Sequence, residues 1–341
     1  MKKTILYSGL ILSALLCGCA KDPSTGLNDS AKLAFDAWMQ VNHPEGVKTE
    51  LGAYVLSETP GAGALVGNAD TSPYLWVEYS SRYLNGTVYE TTDEALAKQV
   101  GTYAEKNYYG PVVWARANNG ITAGLDEAVN TMRVGGSKSL IIPGWLQTFD
   151  RYDTAEEYLK KVSGTSAQYE LKIVDIIPDI NKWETDSIGR YISHHFPGKS
   201  VLDSLQYGFY YFRTREPSSD KEFPDDTTIY INYVGRLLNG TVFDTNVKDS
   251  AKYYGLYSAS STYSPSQVDW FSTSNQESFK DITMGGSSLI EGFSYALSQM
   301  HPHEAGTAIF YSSGGYSAKG SGSAIPGYSP LRFDIEIVDK P

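Results

Sequence analysis

Two stretches of the chain place a carboxylate directly after an aromatic ring on the return arm of a hairpin. The pattern Tyr-x-x-Arg-x-Leu-Asn-Gly-Thr-Val-aromatic-acid-Thr runs from Tyr79 to Thr91 and again from Tyr233 to Thr245. The acids are Glu90 beside Tyr89 and Asp244 beside Phe243. A carboxylate at a partly buried site among rings needs a polar partner, because its desolvation is otherwise uncompensated. Other chemistries have less footing. His301-Pro302-His303 and His194-His195 lack companion ligands at helical or loop spacing, so no metal is expected. No Ser–His–Asp or Cys–His set assembles. Gly61-Ala62-Gly63 and Gly314-Gly315 lack the strand-to-helix context of a phosphate loop. No cofactor is expected.

The elements that must position these residues also come in two copies. Leu75, Val77 and Tyr79 alternate into the first Asn-Gly, as Ile229, Ile231 and Tyr233 do into the second. That dipeptide tolerates the positive φ of a tight hairpin turn. Ahead of the first hairpin, Asp29 or Ser30 caps a helix whose Leu33, Phe35, Trp38, Met39 and Val41 suit one buried face. A strand, Ala53 to Leu56, follows. Ahead of the second, a helix from Ile180 to His194 precedes a strand from Phe209 to Phe212. Each hairpin leads into a long polar insertion, Thr91 to Asn119 and Asn246 to Ser278, expected to be a surface excursion. Trp270 and Phe271 in the second are candidates for partner contact. Then come a short amphipathic helix ending in Met132 or Met300 and a closing strand of period two. The fold class is α+β. The expected domains are 30–178 and 179–341, each preceded by an extra N-terminal helix.

The chain opens Met1-Lys2-Lys3 and continues with an apolar run from Ile5 to Leu16, too short for a membrane-spanning helix of about 20 residues. It closes on Leu16-Cys17-Gly18-Cys19, which resembles the lipobox of bacterial lipoproteins. Residues 1–19 are expected to be a signal peptide with Cys19 lipidated, and 20–29 a tether. The implied location is the bacterial cell envelope, with the lipid anchor in a membrane, expected to be the outer one. A net charge of −11 with no basic stripe disfavours nucleic acid.

The second unit resembles FKBP-type peptidyl-prolyl cis/trans isomerases. It reads Tyr-x-Gly-x-Leu-x-x-Gly-x-x-Phe-Asp from Tyr233 to Asp244, then Leu289-Ile290-x-Gly292-Phe293, Met300, Tyr316, Ile325-Pro326 and Leu331-x-Phe333. The resemblance implies two FKBP-like domains, each a curved antiparallel sheet wrapped around a short helix, with a ligand pocket between them. It implies catalytic roles for Tyr233, Phe243, Asp244, Phe293, Tyr316 and Phe333, and substrate binding by Leu289, Ile290 and Ile325. Partners would be proline-containing polypeptide clients. This sequence departs from the family in four places: Phe293 where Trp is usual, His303 for a Gly after the helix, Ser317 for the Gly after the flap Tyr, and an insertion before Phe279 longer than the family's usual loop. The first unit keeps Tyr79 but has Tyr89-Glu90, Leu125 and Leu171 at the other positions, and no flap with Tyr and Ile-Pro. The expectation is an envelope-anchored isomerase active in its C-terminal domain. The alternative is a noncatalytic binding or chaperone lipoprotein on the same folds.

Overall fold

The structure, a computed structural model, describes residues 28–199, 204–206, 208–224, 226–270 and 282–341. Cys19 and Phe271 lie outside the described residues, as does the expected tether up to residue 27. The first half runs α1 (Asp29–Asn42), β1 (Val47–Lys48), β2 (Tyr54–Thr59), β3 (Tyr74–Tyr83), β4 (Val88–Thr91), α2 (Glu94–Val100), β5 (Val112–Ala115), α3 (Ala123–Asn130), β6 (Ser137–Ile142), α4 (Ala155–Lys161) and β7 (Ala167–Ile177). The second runs α5 (Ile180–His195), β8 (Ser204–Gln206), β9 (Phe209–Arg215), β10 (Thr227–Leu237), β11 (Val242–Thr245), α6 (Lys248–Tyr253), β12 (Ser266–Trp270), β13 (Thr283–Met284), β14 (Ser287–Ser288), α7 (Glu291–Ser298), β15 (Ala305–Phe310) and β16 (Leu331–Val338).

Each half is one antiparallel sheet, and the two sheets share a strand order. The path β2-β6-β7-β3 of the first corresponds to β9-β15-β16-β10 of the second. The alternation seen in sequence decides which face is inner. Leu75 and Val77 of β3, and Ile229 and Ile231 of β10, are buried. The short helix α3 turns Leu125, Ala128 and Val129 into the first core, and α7 turns Phe293, Ala296 and Leu297 into the second. The fold is α+β, with one helix cradled by each sheet. The Asn-Gly turns use less strain than two left-handed residues would require. Only the glycines are left-handed (φ +88° at Gly86, +96° at Gly240). The Asn85 and Asn239 side chains each accept the amide N–H two residues on, at 3.0 Å.

Four expectations are corrected. Leu33 and Val41 of α1 are exposed, while Phe35 and Met39 are buried. At about 100° per residue, positions 33 and 41 fall on the far side of the helix from 35 and 39. The insertions are not merely surface excursions, because β5 pairs with β3 and β12 pairs with β10, widening each sheet. Trp270, at the end of β12, is buried and tilted against Phe223 rather than offered to a partner. The strand placed at Ala53 to Leu56 lies at Tyr54–Thr59. Among the described residues, no helix is long and apolar enough to cross a membrane.

The halves touch. Trp76 of β3 packs against Trp183 of α5 at 4.8 Å between ring centres, and Tyr74 meets Tyr328 edge-on at 5.4 Å. α5 lays Ile188 and Ile192 on the outer face of the second sheet, against Tyr210, Phe212 and Ile309.

Candidate active site

The cavity between α7 and the second sheet is built by strand period and helix start. Tyr233 sits on β10 and Phe243 and Asp244 on β11, while Phe333 on β16 pairs with Gly235 across the ladder. Ile290 is the residue at which the chain turns into α7, with extended φ/ψ (−63°, 145°). The first amides of a helix have no partner within it. Among the described residues nothing accepts the Ile290 N–H.

All nine residues named from the sequence other than Cys19 line one cavity of about 440 Å³: Tyr233, Phe243, Asp244, Leu289, Ile290, Phe293, Tyr316, Ile325 and Phe333. The Phe293 ring forms the floor, only 3% exposed, with Phe333 edge-on at 4.8 Å and Tyr233 at 5.8 Å. Phe243 closes one wall, edge-on to Phe333 at 5.6 Å. Edge-to-face rings of this kind hold a fixed apolar shape.

The polar groups are few and directed. The Tyr233 hydroxyl donates to Asp244 Oδ2 at 2.8 Å. Burial, with the Asp244 charge and that hydrogen bond, raises its pKa well above the ordinary tyrosine value. The Tyr316 hydroxyl is also raised, first by burial and then by the Asp244 charge, so it keeps its proton at neutral pH. The Tyr316 hydroxyl makes no hydrogen bond among the described residues. Two donors, Ile290 N–H and Tyr316 O–H, are thus left unspent beside an apolar floor.

Sequence reasoning missed Gly235 as part of the site. A Cβ there would stand 2.7 Å from both Phe243 Cε2 and Phe333 Cε1, so only glycine lets these rings meet. The signal was present as the Gly of Tyr-x-Gly. Met284, Ser288, Ser321 and Ala324 also line the cavity. The departures at His303 and Ser317 both fall on left-handed backbone, φ +61° and +51°. A glycine would be unstrained at either place. His303 is held by its ring, with Nδ1 to Ser218 Oγ and Nε2 to Asp339 Oδ1, each at 2.9 Å.

The profile of the FKBP-type peptidyl-prolyl cis-trans isomerase family matches residues 219–338. That span holds the whole cavity. This part of the chain is similar to that family. A Trypanosoma cruzi protein called macrophage infectivity potentiator is 24% identical over 180 residues, spanning 53% of this chain and 73% of its own. Two solved structures are similar at low superposition. One holds the three FKBP domains of a wheat protein (TM-score 0.29, 15% identity, 84% of this chain and 94% of that one). The other is a Pseudomonas syringae pv. tomato peptidyl-prolyl isomerase (TM-score 0.32, 22% identity, 47% and 92%). The first half repeats the FKBP strand order around α3, making the chain a tandem of two FKBP-like domains.

The first FKBP-like domain lacks the cavity's floor and flap. Leu125, buried in the core, stands at the floor position. The expectation that Leu171 replaces the final-strand ring is corrected: Phe333 pairs with Gly235 as Tyr169 pairs with Ser81, whereas Leu171 pairs with Tyr79 as Ile335 does with Tyr233. Tyr89 donates to the Tyr169 hydroxyl at 3.3 Å, and Tyr169 also bonds Gln147. Neither of the two cavities bordering Tyr79 reaches Leu125. Where the flap would be, Trp145 and Leu146 are buried, followed by α4.

Proposed function

We propose that the C-terminal domain catalyses rotation about Xaa–Pro bonds in polypeptide clients, and that the first domain does not. Resonance opposes that rotation with a barrier of roughly 18–20 kcal/mol. At the twisted transition state the amide loses its charge separation, so an apolar, water-poor pocket favours it over the planar ground state. Phe243, Phe293 and Phe333 would hold the proline ring. Ile290 N–H and Tyr316 O–H would hold substrate carbonyls, fixing one side of the bond while the other turns. Asp244 keeps Tyr233 oriented and sets a negative charge beside the twisting amide. The observation that carries this reading is the convergence of three Phe rings, the Tyr233–Asp244 pair and two unspent donors on one cavity. No nucleophile is needed.

The reading extends to the cell envelope, through lipidation at Cys19. It is supported by the run Leu16-Cys17-Gly18-Cys19 after an apolar stretch. Several acyl chains, each buried CH₂ contributing about 0.8 kcal/mol, suffice for a stable anchor. Labelled fatty acid should enter the wild-type chain and not Cys19→Ala; equal labelling of both would remove the anchor.

Isomerisation of a proline-containing peptide, or proline-limited refolding of a protein, tests the catalytic claim. Asp244→Val and Tyr316→Phe should each lower kcat/KM about tenfold or more, a loss of about 1.4 kcal/mol of transition-state stabilisation. Wild-type rates in both variants would overturn the assignment of these residues. A folded wild-type chain with no activity would leave the noncatalytic binding reading in its place.

A further inference from the structure

The flap over the C-terminal cavity, residues 312–328 between β15 and β16, carries Tyr316 and Ile325. It is held at three points by groups from outside its own sheet. At its start, buried Glu184 of α5 accepts from Ser312 N–H at 2.5 Å and Ser312 Oγ–H at 2.7 Å. Near its tip, the Tyr108 N–H, from the insertion of the first domain, donates to Ser323 O at 2.9 Å. At its end, Tyr328 sits on left-handed backbone with its ring against Tyr74 of β3.

Tyr108 is more than a backbone donor. Its ring packs against the core of the second domain, and its hydroxyl returns to Pro111 O of its own insertion at 2.8 Å. The same insertion touches the second domain at another place. Glu105 lies so close to Gly255, just past α6, that a Cβ on Gly255 would stand 2.9 Å from Glu105 Cγ. The rim of the first domain that corresponds to the catalytic one, Tyr89 and Glu90, borders a cavity whose far wall is Pro326 and Gly327 of the flap.

We propose that residues 103–111 of the first domain, anchored by Tyr108, are a positioning element for the flap of the second, keeping Tyr316 and Ile325 set over the proline pocket. Within itself the flap has, besides short turns, one isolated bridge between Ser321 and Ile325 and one bond across its base, from Tyr328 N–H to Ser317 O at 2.9 Å. Segments with few internal contacts open locally at low free energy, and a catalytic donor that wanders loses its orientation advantage. The degenerate domain thus acts through the active one. The inference rests on the C-terminal cavity being the active site.

The test uses the whole chain and two readouts, amide hydrogen exchange and peptide isomerisation. Tyr108→Ala should speed exchange in residues 320–328 about tenfold and lower kcat/KM by a similar factor, with exchange in β10 and β16 unchanged. Tyr108→Phe, which keeps the ring, should restore both. Tyr74→Ala removes the other first-domain contact without altering the insertion, and should act on the same segment by a smaller factor. It decides the matter should Tyr108→Ala unfold the first domain. Flap exchange at wild-type rates in the folded variants overturns the proposal. So does faster flap exchange with undiminished kcat/KM. If the wild-type chain proves inactive, the assignment of function falls, and the exchange readout alone shows whether the insertion holds the flap.

Discussion

The two halves of this chain share strand order, hairpin turn and cradled helix, and differ in a handful of volumes. Gly235 becomes Ser81, Phe293 becomes Leu125, Phe333 becomes Tyr169, and Phe243-Asp244 becomes Tyr89-Glu90. Ser81 is fully buried, with its hydroxyl turned to Glu90 O at 3.4 Å. Its Cβ occupies the space that the second half keeps open for two rings. The sheet survives these exchanges, because inward strand positions need only apolar bulk. The cavity does not survive them, because it depends on Phe243, Phe293 and Phe333 meeting edge to face. Fold and pocket are therefore set by different residues of the same strands.

The largest expected effect comes from the floor. Phe293→Ala should cost the second domain about 3–5 kcal/mol and lower kcat/KM of the folded protein roughly a hundredfold. Leu125→Ala should cost the first domain about 2–5 kcal/mol while isomerisation by the folded protein continues unchanged. Denaturant melts paired with peptide assays read both. Comparable losses of activity from the two variants would break the contrast.

Next in size is the transplant of Ser81 into the second half. Gly235→Ser should press Phe243 and Phe333 apart, at about 1–3 kcal/mol of overpacking and about tenfold in kcat/KM. The reverse change, Ser81→Gly, should confer nothing, since the floor and flap donors of the first half are still missing. Activity gained by Ser81→Gly in an Asp244→Val background would show that the first pocket is closer to function than its residues suggest.

A smaller effect concerns Glu184, the buried carboxyl on α5. Burial raises its pKa above the ordinary value of 4.5, outweighing the Ser312 hydrogen bonds. A raised folded pKa means the protonated form is the one favoured by folding. Its contribution is therefore complete below the unfolded pKa and is lost as pH rises through the folded one. Glu184→Gln should match or exceed wild-type stability at neutral pH, and the wild type should gain on it as pH falls toward 4.5. Melting temperatures across that range check the sign, and a wild type that loses ground on acidification would reverse it.

The smallest effect is at the flap. Ser317→Gly should relieve left-handed strain and raise stability by about 0.5 kcal/mol, because the loss of strain exceeds the added freedom of the unfolded chain.

Much of this was legible in the residues. The repeat and the α+β order follow from period-two strands and the order of motifs, and the nine cavity residues from the resemblance to FKBP-type isomerases. Spacing along a strand reports directly on which side chains share a face. What stayed hidden has physical causes. Leu33 and Val41 looked like core because apolar type was read without angle around the helix. The strands β5 and β12 were missed because their insertions are polar in composition, although Val112, Val113 and Val268 carry the β-branched signal. The contact of Tyr108 with Ser323 joins segments of different domains, and no local pattern encodes such a pairing. Gly235 was quoted in its motif without its reason, which only the meeting of two rings supplies.

The contrast between the halves is tested most directly by titrating a proline-containing peptide into isotopically labelled full-length protein and following backbone amides by NMR. The account predicts saturable shifts at Ile290, Phe243 and the flap around Tyr316, with Thr122 and Tyr89 unmoved. Shifts centred on Thr122 and Tyr89 with Ile290 silent would contradict it.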